Sequence, residues 1–157
     1  MRITHLLKAT MVAAVFLLAV PTPAHAHTAT CVAVATLYPL TNFTSRAGDG
    51  VVIETWDFTG LHGLCLADGT HVDADLAGHV TQIRHDDGTG RLVVRETMSI
   101  PTGTLDALVV VRFSPTSFEA TAIVFGGTGE LSGVSGKGTT QPIGPNTFLS
   151  ETLYRYN

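Results

Sequence analysis

Residues 91–113 read RLVVRETMSIPTGTLDALVVVRF and predict two antiparallel β-strands joined by a tight turn. The two flanks, Arg91–Ile100 and Leu105–Phe113, are rich in valine, leucine and isoleucine, which favour extended backbone. Pro101-Thr102-Gly103 lies between them, and these residue types are common in turns. A short turn returns the second strand beside the first, so the segment predicts an antiparallel sheet.

The same pattern continues in both directions along the chain. Glycine, aspartate, proline and threonine mark turns about every ten residues, which is the spacing expected of short strands. The predicted strands are Cys31–Tyr38, Val51–Phe58, Leu61–Ala67, Thr70–Leu76, His79–His85, Arg91–Ile100, Leu105–Phe113, Ser117–Phe125 and Thr147–Tyr156. No window shows a helical period with capping residues, so we predict an all-β, antiparallel domain. An eight-stranded β-barrel is favoured over a sandwich because closure removes exposed sheet edges.

Residues 1–26 predict a secretory signal peptide. Arg2 and Lys8 precede the apolar run Ala9–Val20, and small residues at the end of the segment match a cleavage site. Removal of this leader would leave one domain, 27–157. We expect that domain to be secreted and extracellular.

Charged residues make up only 14% of the chain, against about 25% in an average globular domain. Loss of Arg2 and Lys8 with the leader changes the formal net charge from −4 to −6. An acidic domain is a poor partner for nucleic acid or anionic lipid. Beyond the leader, no segment approaches the roughly 20 apolar residues of a transmembrane helix, so membrane insertion is not expected.

Cys31 and Cys65 are the only two cysteines of the chain. In the oxidising surroundings of an exported protein, two thiols of one small domain tend to pair. We therefore predict a Cys31–Cys65 disulfide that pins the first strand. A catalytic thiol is disfavoured because the chain has no Cys-x-x-Cys motif and both cysteines have apolar neighbours.

Two glutamates interrupt strand faces that are otherwise apolar. Side chains alternate along a strand, so Glu54 shares a face with Trp56, and Glu96 shares one with Met98. Two carboxyl groups inside one barrel would have raised pKa values and could act as general acid and base. The hypothesis is that Glu54 and Glu96 are catalytic and that Trp56 and Met98 line the ligand pocket.

Both glutamates also have a structural interpretation. A bulge or twist in either strand would turn the carboxylate to solvent. Arg95 or Arg112 would satisfy a buried carboxylate as an ion-pair partner. The residues alone leave these alternatives open.

Histidines and aspartates are dense between residues 62 and 85, which raises the question of a metal site. They are His62, His71, Asp73, Asp75, His79 and His85. No pair has the His-x-x-x-His or His-Glu-x-x-His spacing of a zinc site, and the residues are spread over several predicted strands. We therefore predict no metal site and no cofactor, although metal binding by this stretch stays an open alternative.

Glycines dominate the segment that follows Val124. The residues that carry the pattern are Gly126, Gly127, Thr128, Gly129, Gly133 and Gly136. Glycine permits positive φ, bulges and close crossing of backbones. The segment therefore predicts a corner of the barrel.

Taken over the 18 residues Ile123–Thr140, this segment resembles the glycine-rich signature of the allene oxide cyclase and dirigent barrel superfamily. The resemblance implies a calycin-like, eight-stranded antiparallel barrel with a central apolar cavity, often assembled into homodimers or homotrimers. Plant allene oxide cyclases cyclise an unstable fatty-acid epoxide, and dirigent proteins steer coupling or cyclisation of phenolic intermediates, both without a cofactor. No catalytic residue of either plant family matches a position here, so none is carried over.

Three classes of function remain open from the sequence. The first is a barrel enzyme in which shape and one or two buried acids steer cyclisation or isomerisation of a small apolar molecule. The second is a carrier of such a molecule, which needs the cavity but no acid. The third is an extracellular structural or interaction module whose barrel is filled by side chains.

Overall fold

The computed structural model describes residues 26–157, so the predicted leader lies outside the described residues except for Ala26. These residues form nine strands: β1 (His27–Pro39), β2 (Thr44–Gly48), β3 (Val51–Cys65), β4 (His71–His85), β5 (Gly90–Ile100), β6 (Gly103–Ser114), β7 (Ser117–Gly127), β8 (Ser135–Gly144) and β9 (Thr147–Tyr156). A single 3-10 turn, Gly129–Leu131, lies between β7 and β8.

The strands form one closed antiparallel sheet. Their order is β1-β9-β8-β7-β6-β5-β4-β3-β2, and an additional pairing of β1 with β3 closes eight of them into a barrel. The ninth strand, β2, pairs only along the first half of β3 and lies outside the closed ring. The all-β, eight-stranded barrel predicted from the sequence is therefore confirmed. Residues 91–113 form its β5–β6 hairpin, with Arg91 opposite Arg112 and Ile100 opposite Gly103.

Two of the predicted strand breaks are wrong. The predicted strands Val51–Phe58 and Leu61–Ala67 both fall in β3, which ends at Cys65, and Thr70–Leu76 and His79–His85 both fall in β4, which begins at His71. Each pair of segments is one continuous strand, because the residues between them keep their ladder partners.

Glycines explain why those strands look interrupted in the sequence. A Cβ atom on Gly60 would lie 2.1 Å from the carbonyl oxygen of Thr36, and one on Gly78 would lie 2.5 Å from the Phe58 ring. Glycine within a strand commonly marks such a close approach rather than a turn. At both positions the strand continues because glycine has no Cβ atom that would clash with the neighbouring carbonyl oxygen or ring.

Two strands were not predicted from the sequence. β2 is short and fully exposed, and β8 is rich in glycine and polar residues. Residues 135–140 of β8 belong to the segment that the sequence predicts as a barrel corner. The chain does turn before them, with positive φ at Gly126 and Gly133. The second half of the segment is then a regular strand between β7 and β9.

One end of the barrel is closed by a packed hydrophobic floor. Its fully buried members include Leu64, Leu76, Leu105 and Leu131. The predicted disulfide is confirmed at this end: Cys31 of β1 is bonded to Cys65 of β3, with 5.7 Å between the Cα atoms. The floor fills this end, so any cavity must lie toward the opposite end.

Candidate functional site

A cavity of about 430 Å³ occupies the barrel between the floor and the opposite end. Its volume lies within the range of small-molecule sites, about 300–1,000 Å³. Most of the wall is aliphatic and comes from β4 to β7: Val80, Val94, Val109, Val111, Ala122 and Val124. Aromatic side chains of β3 and β9 complete the apolar surface, and polar groups are few.

All four residues predicted as catalytic or pocket-lining side chains face this cavity. Glu54 and Trp56 reach it from β3, and Glu96 and Met98 reach it from β5. Met98 is almost fully buried, whereas Glu54 lies near the open end. The strand alternation therefore identified the inward faces of β3 and β5.

The two glutamates lie at different depths. Glu54 is opposite Gln82, and Gln82 is opposite Leu92, four residues before Glu96 on β5. At the rise of a β-strand, four residues correspond to about 13 Å along the barrel wall. Such a separation does not suit two groups that act together on one bond.

Glu96 has no polar partner in the described part of the chain: neither a hydrogen bond nor an ion pair is formed by its carboxyl group. Burial raises the pKa of Glu96 to about 7. Arg95, one of the predicted structural partners, is exposed on the opposite face of β5, and Arg112 is exposed on β6. The Glu96 carboxyl is therefore free to bond to something inside the cavity.

Glu54 has a structural partner that was not predicted. Its Oε1 atom lies 3.9 Å from Nη2 of Arg84 on the neighbouring strand β4. The Glu54 side chain is 18% exposed and that of Arg84 is 49% exposed. The pair therefore lies at the rim of the cavity and stabilises the fold by little.

His62 is a cavity residue that the sequence reasoning placed elsewhere. It is only 6% exposed, faces inward from β3, and its Nδ1 lies 2.5 Å from the carbonyl oxygen of Gly63. Burial lowers the pKa of His62, so the ring stays neutral near pH 7. His62 is separated from Glu54 and Trp56 by an even number of residues. It therefore shares their inward face, but only if the strand continues through Gly60.

Hydroxyl groups line the wall that faces Glu96. In the ring of eight strands β9 is four positions from β5, and its inward residues Ser150, Thr152 and Tyr154 are all buried. Burial raises the pKa of the Tyr154 phenol, and the nearby Tyr156 and Glu96 raise it further. The cavity thus has one acid on β5 and a set of hydroxyls across from it.

The open end of the cavity is covered by residues 40–43, called here the mouth segment. Leu40 and Phe43 line the cavity, and the Phe43 ring centroid is 6.0 Å from that of Trp56. The Asp57 backbone N–H donates to Oδ1 of Asn42 at 3.1 Å, and Nδ2 of Asn42 donates to the Asp57 carboxylate. The Leu40 backbone N–H also donates to the Asp57 carbonyl oxygen at 2.9 Å, so the segment is held to β3 by one backbone hydrogen bond and by the Asn42 side chain.

Asp57 also holds a second side chain. Its Oδ1 atom lies 2.6 Å from Nδ1 of His79 on β4. Hydrogen bonds from His79 and Asn42 lower the pKa of Asp57. The Asp57 carboxylate therefore links the mouth segment to two strands of the barrel.

The histidines of residues 62–85 do not converge on one point. His62 lies inside the barrel, His79 pairs with Asp57 outside it, and the ring of His71 is 3.5 Å from the Cys65 sulfur. Among residues 26–157, Cys31, Cys65 and His71 do bring three candidate ligand atoms within 4.8 Å. The two sulfurs are joined as a disulfide and are not thiolate ligands.

The fold and the site define a small eight-stranded β-barrel with an internal, mostly apolar cavity. A similar solved structure is the crystal structure of a protein of unknown function from the DUF3224 family, from Shewanella oneidensis MR-1. The TM-score is 0.62, with 16% identity over 84% of this chain and 98% of that chain. At this identity the likeness shows the fold alone.

No protein-family model and no curated protein matches the chain. Within residues 26–157, no helix is long and apolar enough to cross a membrane.

Proposed function

We propose that this protein binds a small apolar molecule in the cavity of its barrel. The observation that carries the proposal is the cavity of about 430 Å³, lined mostly by aliphatic and aromatic side chains. Protein interiors are close-packed, and voids much larger than a water molecule are few. A void of this size leaves its lining atoms without contacts that an apolar ligand would supply.

The cavity also weighs against a module with a filled barrel. Alanines occupy the inward positions 35, 107 and 122, where larger aliphatic residues would fill the space. The aliphatic residues beside them, among them Val94, Val109 and Val124, line the cavity without filling it. Small side chains around a void are what a binding site needs.

Acid-assisted steering of a reaction is the second candidate function. The unpaired Glu96 supports it, because a carboxyl group with a pKa of about 7 can give and take a proton near neutral pH. We give this role to Glu96 alone, because Glu54 lies at the rim beside Arg84 and at a different depth. The resemblance to allene oxide cyclases and dirigent proteins favours the same class, a cofactor-free cyclase or isomerase acting on an apolar substrate.

Secretion is part of the proposal. It rests on the predicted leader, 1–26, and on the disulfide, since structural disulfides persist mainly in oxidising compartments. Assembly into a homodimer or homotrimer is implied by the resemblance alone and stays a prediction.

Titration with the neutral dye N-phenyl-1-naphthylamine tests the binding function. Trp56 is the only tryptophan and lines the cavity, so energy transfer from it reports dye bound to the barrel, and a cavity-filling variant reports whether the dye is inside. We expect saturable binding of one dye per barrel. Ala122→Leu should weaken binding at least tenfold by filling the cavity, whereas Ala77→Leu, on the exposed face of β4, should not.

Absence of saturable energy transfer in the wild type would overturn the binding function. Equal dye affinity of Ala122→Leu and the wild type would do the same, because the dye would then lie elsewhere. For the second candidate, the wild type but not Glu96→Gln should convert a component of host extract, as followed by mass spectrometry. Equal conversion by both would remove Glu96 from the chemistry.

A further inference from the structure

The charged groups that line the cavity all have the same sign. Its two ionisable carboxyl groups are Glu54 and Glu96, and within residues 26–157 no lysine or arginine lines it. His62 contributes no positive charge near neutral pH, because burial lowers its pKa. Arg84 pairs with Glu54 at the rim, but deeper in the cavity an organic anion would meet the Glu96 carboxyl and no counter-charge after losing its own hydration, which is costly.

The polar groups around Glu96 are arranged to receive hydrogen bonds. The Glu96 carboxyl faces the cavity without a protein partner, and the inward residues of the opposite wall, Ser150, Thr152 and Tyr154, carry hydroxyl oxygens. A primary ammonium group has three N–H donors and no acceptor. Glu96 lies close enough to Tyr154 for its charge to raise the pKa of the phenol, so one ammonium group between them can donate to both.

Aromatic rings lie along the way from the mouth to Glu96. Phe43 belongs to the mouth segment, Trp56 lies beneath it, and Phe58 follows two residues further down β3. The faces of tryptophan and phenylalanine attract organic cations, most strongly where water is excluded. The apolar part of such a ligand would pack against the aliphatic wall, and its cationic nitrogen would pass aromatic rings that attract it.

We infer that the ligand of this cavity is a lipophilic amine, bound as its ammonium ion with the nitrogen at Glu96. The inference rests on the proposed binding function and narrows its ligand to one chemical class. The carboxylate supplies the counter-charge, the β9 hydroxyls accept the remaining N–H groups, and the apolar part fills the space toward the mouth. Fatty acids and other organic anions are selected against.

Three molecules with one skeleton test this assignment: 3-phenylpropylamine, 3-phenylpropanol and 3-phenylpropanoate, titrated calorimetrically at pH 8. We expect the amine to bind at least tenfold more tightly than the alcohol, and the carboxylate to bind most weakly. Glu96→Gln should remove the preference for the amine while keeping the affinity for the alcohol, which also shows that the variant is folded. Glu151→Gln makes the same chemical change on the exposed face of β9 and should keep the wild-type order.

The outcomes separate this inference from the binding function. If the alcohol binds as tightly as the amine, or if Glu96→Gln keeps the amine preference, the inference is overturned and the binding function stands. If the carboxylate binds best, the assigned charge is wrong. If none of the three binds while the neutral dye does, the inference is overturned and the cavity still binds apolar molecules. If the dye does not bind either, the dye titration overturns the proposed binding function itself.

Discussion

The Tyr156 hydroxyl donates a 2.6 Å hydrogen bond to the backbone carbonyl oxygen of Cys65. It joins the end of the last strand to the disulfide-bonded end of β3, across 91 residues of sequence. The Tyr156 ring is 5% exposed, and His27 stacks on it with 5.1 Å between ring centroids. The first and last strands are therefore fastened together at the floor of the barrel.

Replacement of Tyr156 by phenylalanine should lower the free energy of unfolding by about 1–2 kcal/mol, because a buried carbonyl loses its donor. Urea denaturation followed by circular dichroism measures the change. Tyr38→Phe is the matched control, since Tyr38 is 53% exposed and should change stability by less than about 0.5 kcal/mol. Equal effects of the two variants would show that the hydrogen bond adds nothing to stability.

Gly78→Ala should destabilise the barrel by about 2 kcal/mol or more. The new Cβ atom would lie 2.5 Å from the Phe58 ring and 2.5 Å from the carbonyl oxygen of Arg95, so either the ring or the strand must shift. Gly48→Ala is the control because nothing lies within 4 Å of its added Cβ. Denaturation midpoints of the two variants give the comparison, and a Gly78→Ala protein as stable as Gly48→Ala would contradict the close packing of β3 on β4.

The free energy of unfolding should fall as pH rises through the range in which Glu96 keeps its proton only in the folded state. Burial raises the pKa of Glu96 from 4.5 to about 7, so between these pH values the folded protein holds a proton that the unfolded chain has lost. Stability therefore decreases from about pH 4.5 to pH 7 and no further above it. The full pKa difference corresponds to at most about 3 kcal/mol.

Glu96→Gln removes this dependence. The stability difference between Glu96→Gln and the wild type should move in favour of the variant by about 2–3 kcal/mol between pH 5 and pH 8. Urea denaturation at several pH values measures it, with Glu151→Gln as a solvent-facing control. A difference that stays constant with pH would mean that Glu96 is not held in its neutral form by the barrel.

Loss of the Asn42 side chain should speed exchange of molecules through the mouth. Asn42→Ala removes the two side-chain hydrogen bonds between the mouth segment and Asp57 and leaves only the backbone bond from Leu40 to Asp57, while the residues lining the deeper cavity are unchanged. We expect N-phenyl-1-naphthylamine to associate and dissociate several times faster, with little change in its equilibrium affinity. Stopped-flow detection of energy transfer from Trp56 follows both rates.

Ser45→Ala is the control for this prediction, because Ser45 is exposed on β2 and does not line the cavity. Unchanged exchange rates in Asn42→Ala would show that molecules enter the barrel by another route. A large loss of affinity instead would mean that Asn42 holds the cavity-lining residues Leu40 and Phe43 in their binding positions.

Local pattern in the sequence was sufficient for the fold class and for much of the cavity lining. Alternation along a strand is a property of the backbone itself, so Glu54, Trp56, Glu96 and Met98 could be assigned to inward faces without knowledge of their neighbours. The disulfide was equally accessible, because Cys31 and Cys65 had no other cysteine to pair with.

The missed strands show where local pattern fails. β8 begins with alternating polar residues and glycines, Ser135–Gly138, and has no run of valine, leucine or isoleucine. They are extended because β7 and β9 offer ladder partners on both sides, and a Cβ on Gly138 would lie 2.4 Å from the carbonyl oxygen of Glu151. Such a strand depends on its neighbours, which lie elsewhere in the chain.

By itself, the sequence determined that this protein is an antiparallel β-domain with particular side chains turned inward, because strand period and turn chemistry are local properties. Only the tertiary structure decided which inward residues meet. The barrel closes where β1 pairs with β3, and each hairpin has a fixed register. Together these place His62 and Tyr154 in the same cavity as Glu96 and put Glu54 at the rim beside Arg84. They also leave the cavity above the leucine floor. Register and closure join residues far apart in sequence, so no local pattern specifies them.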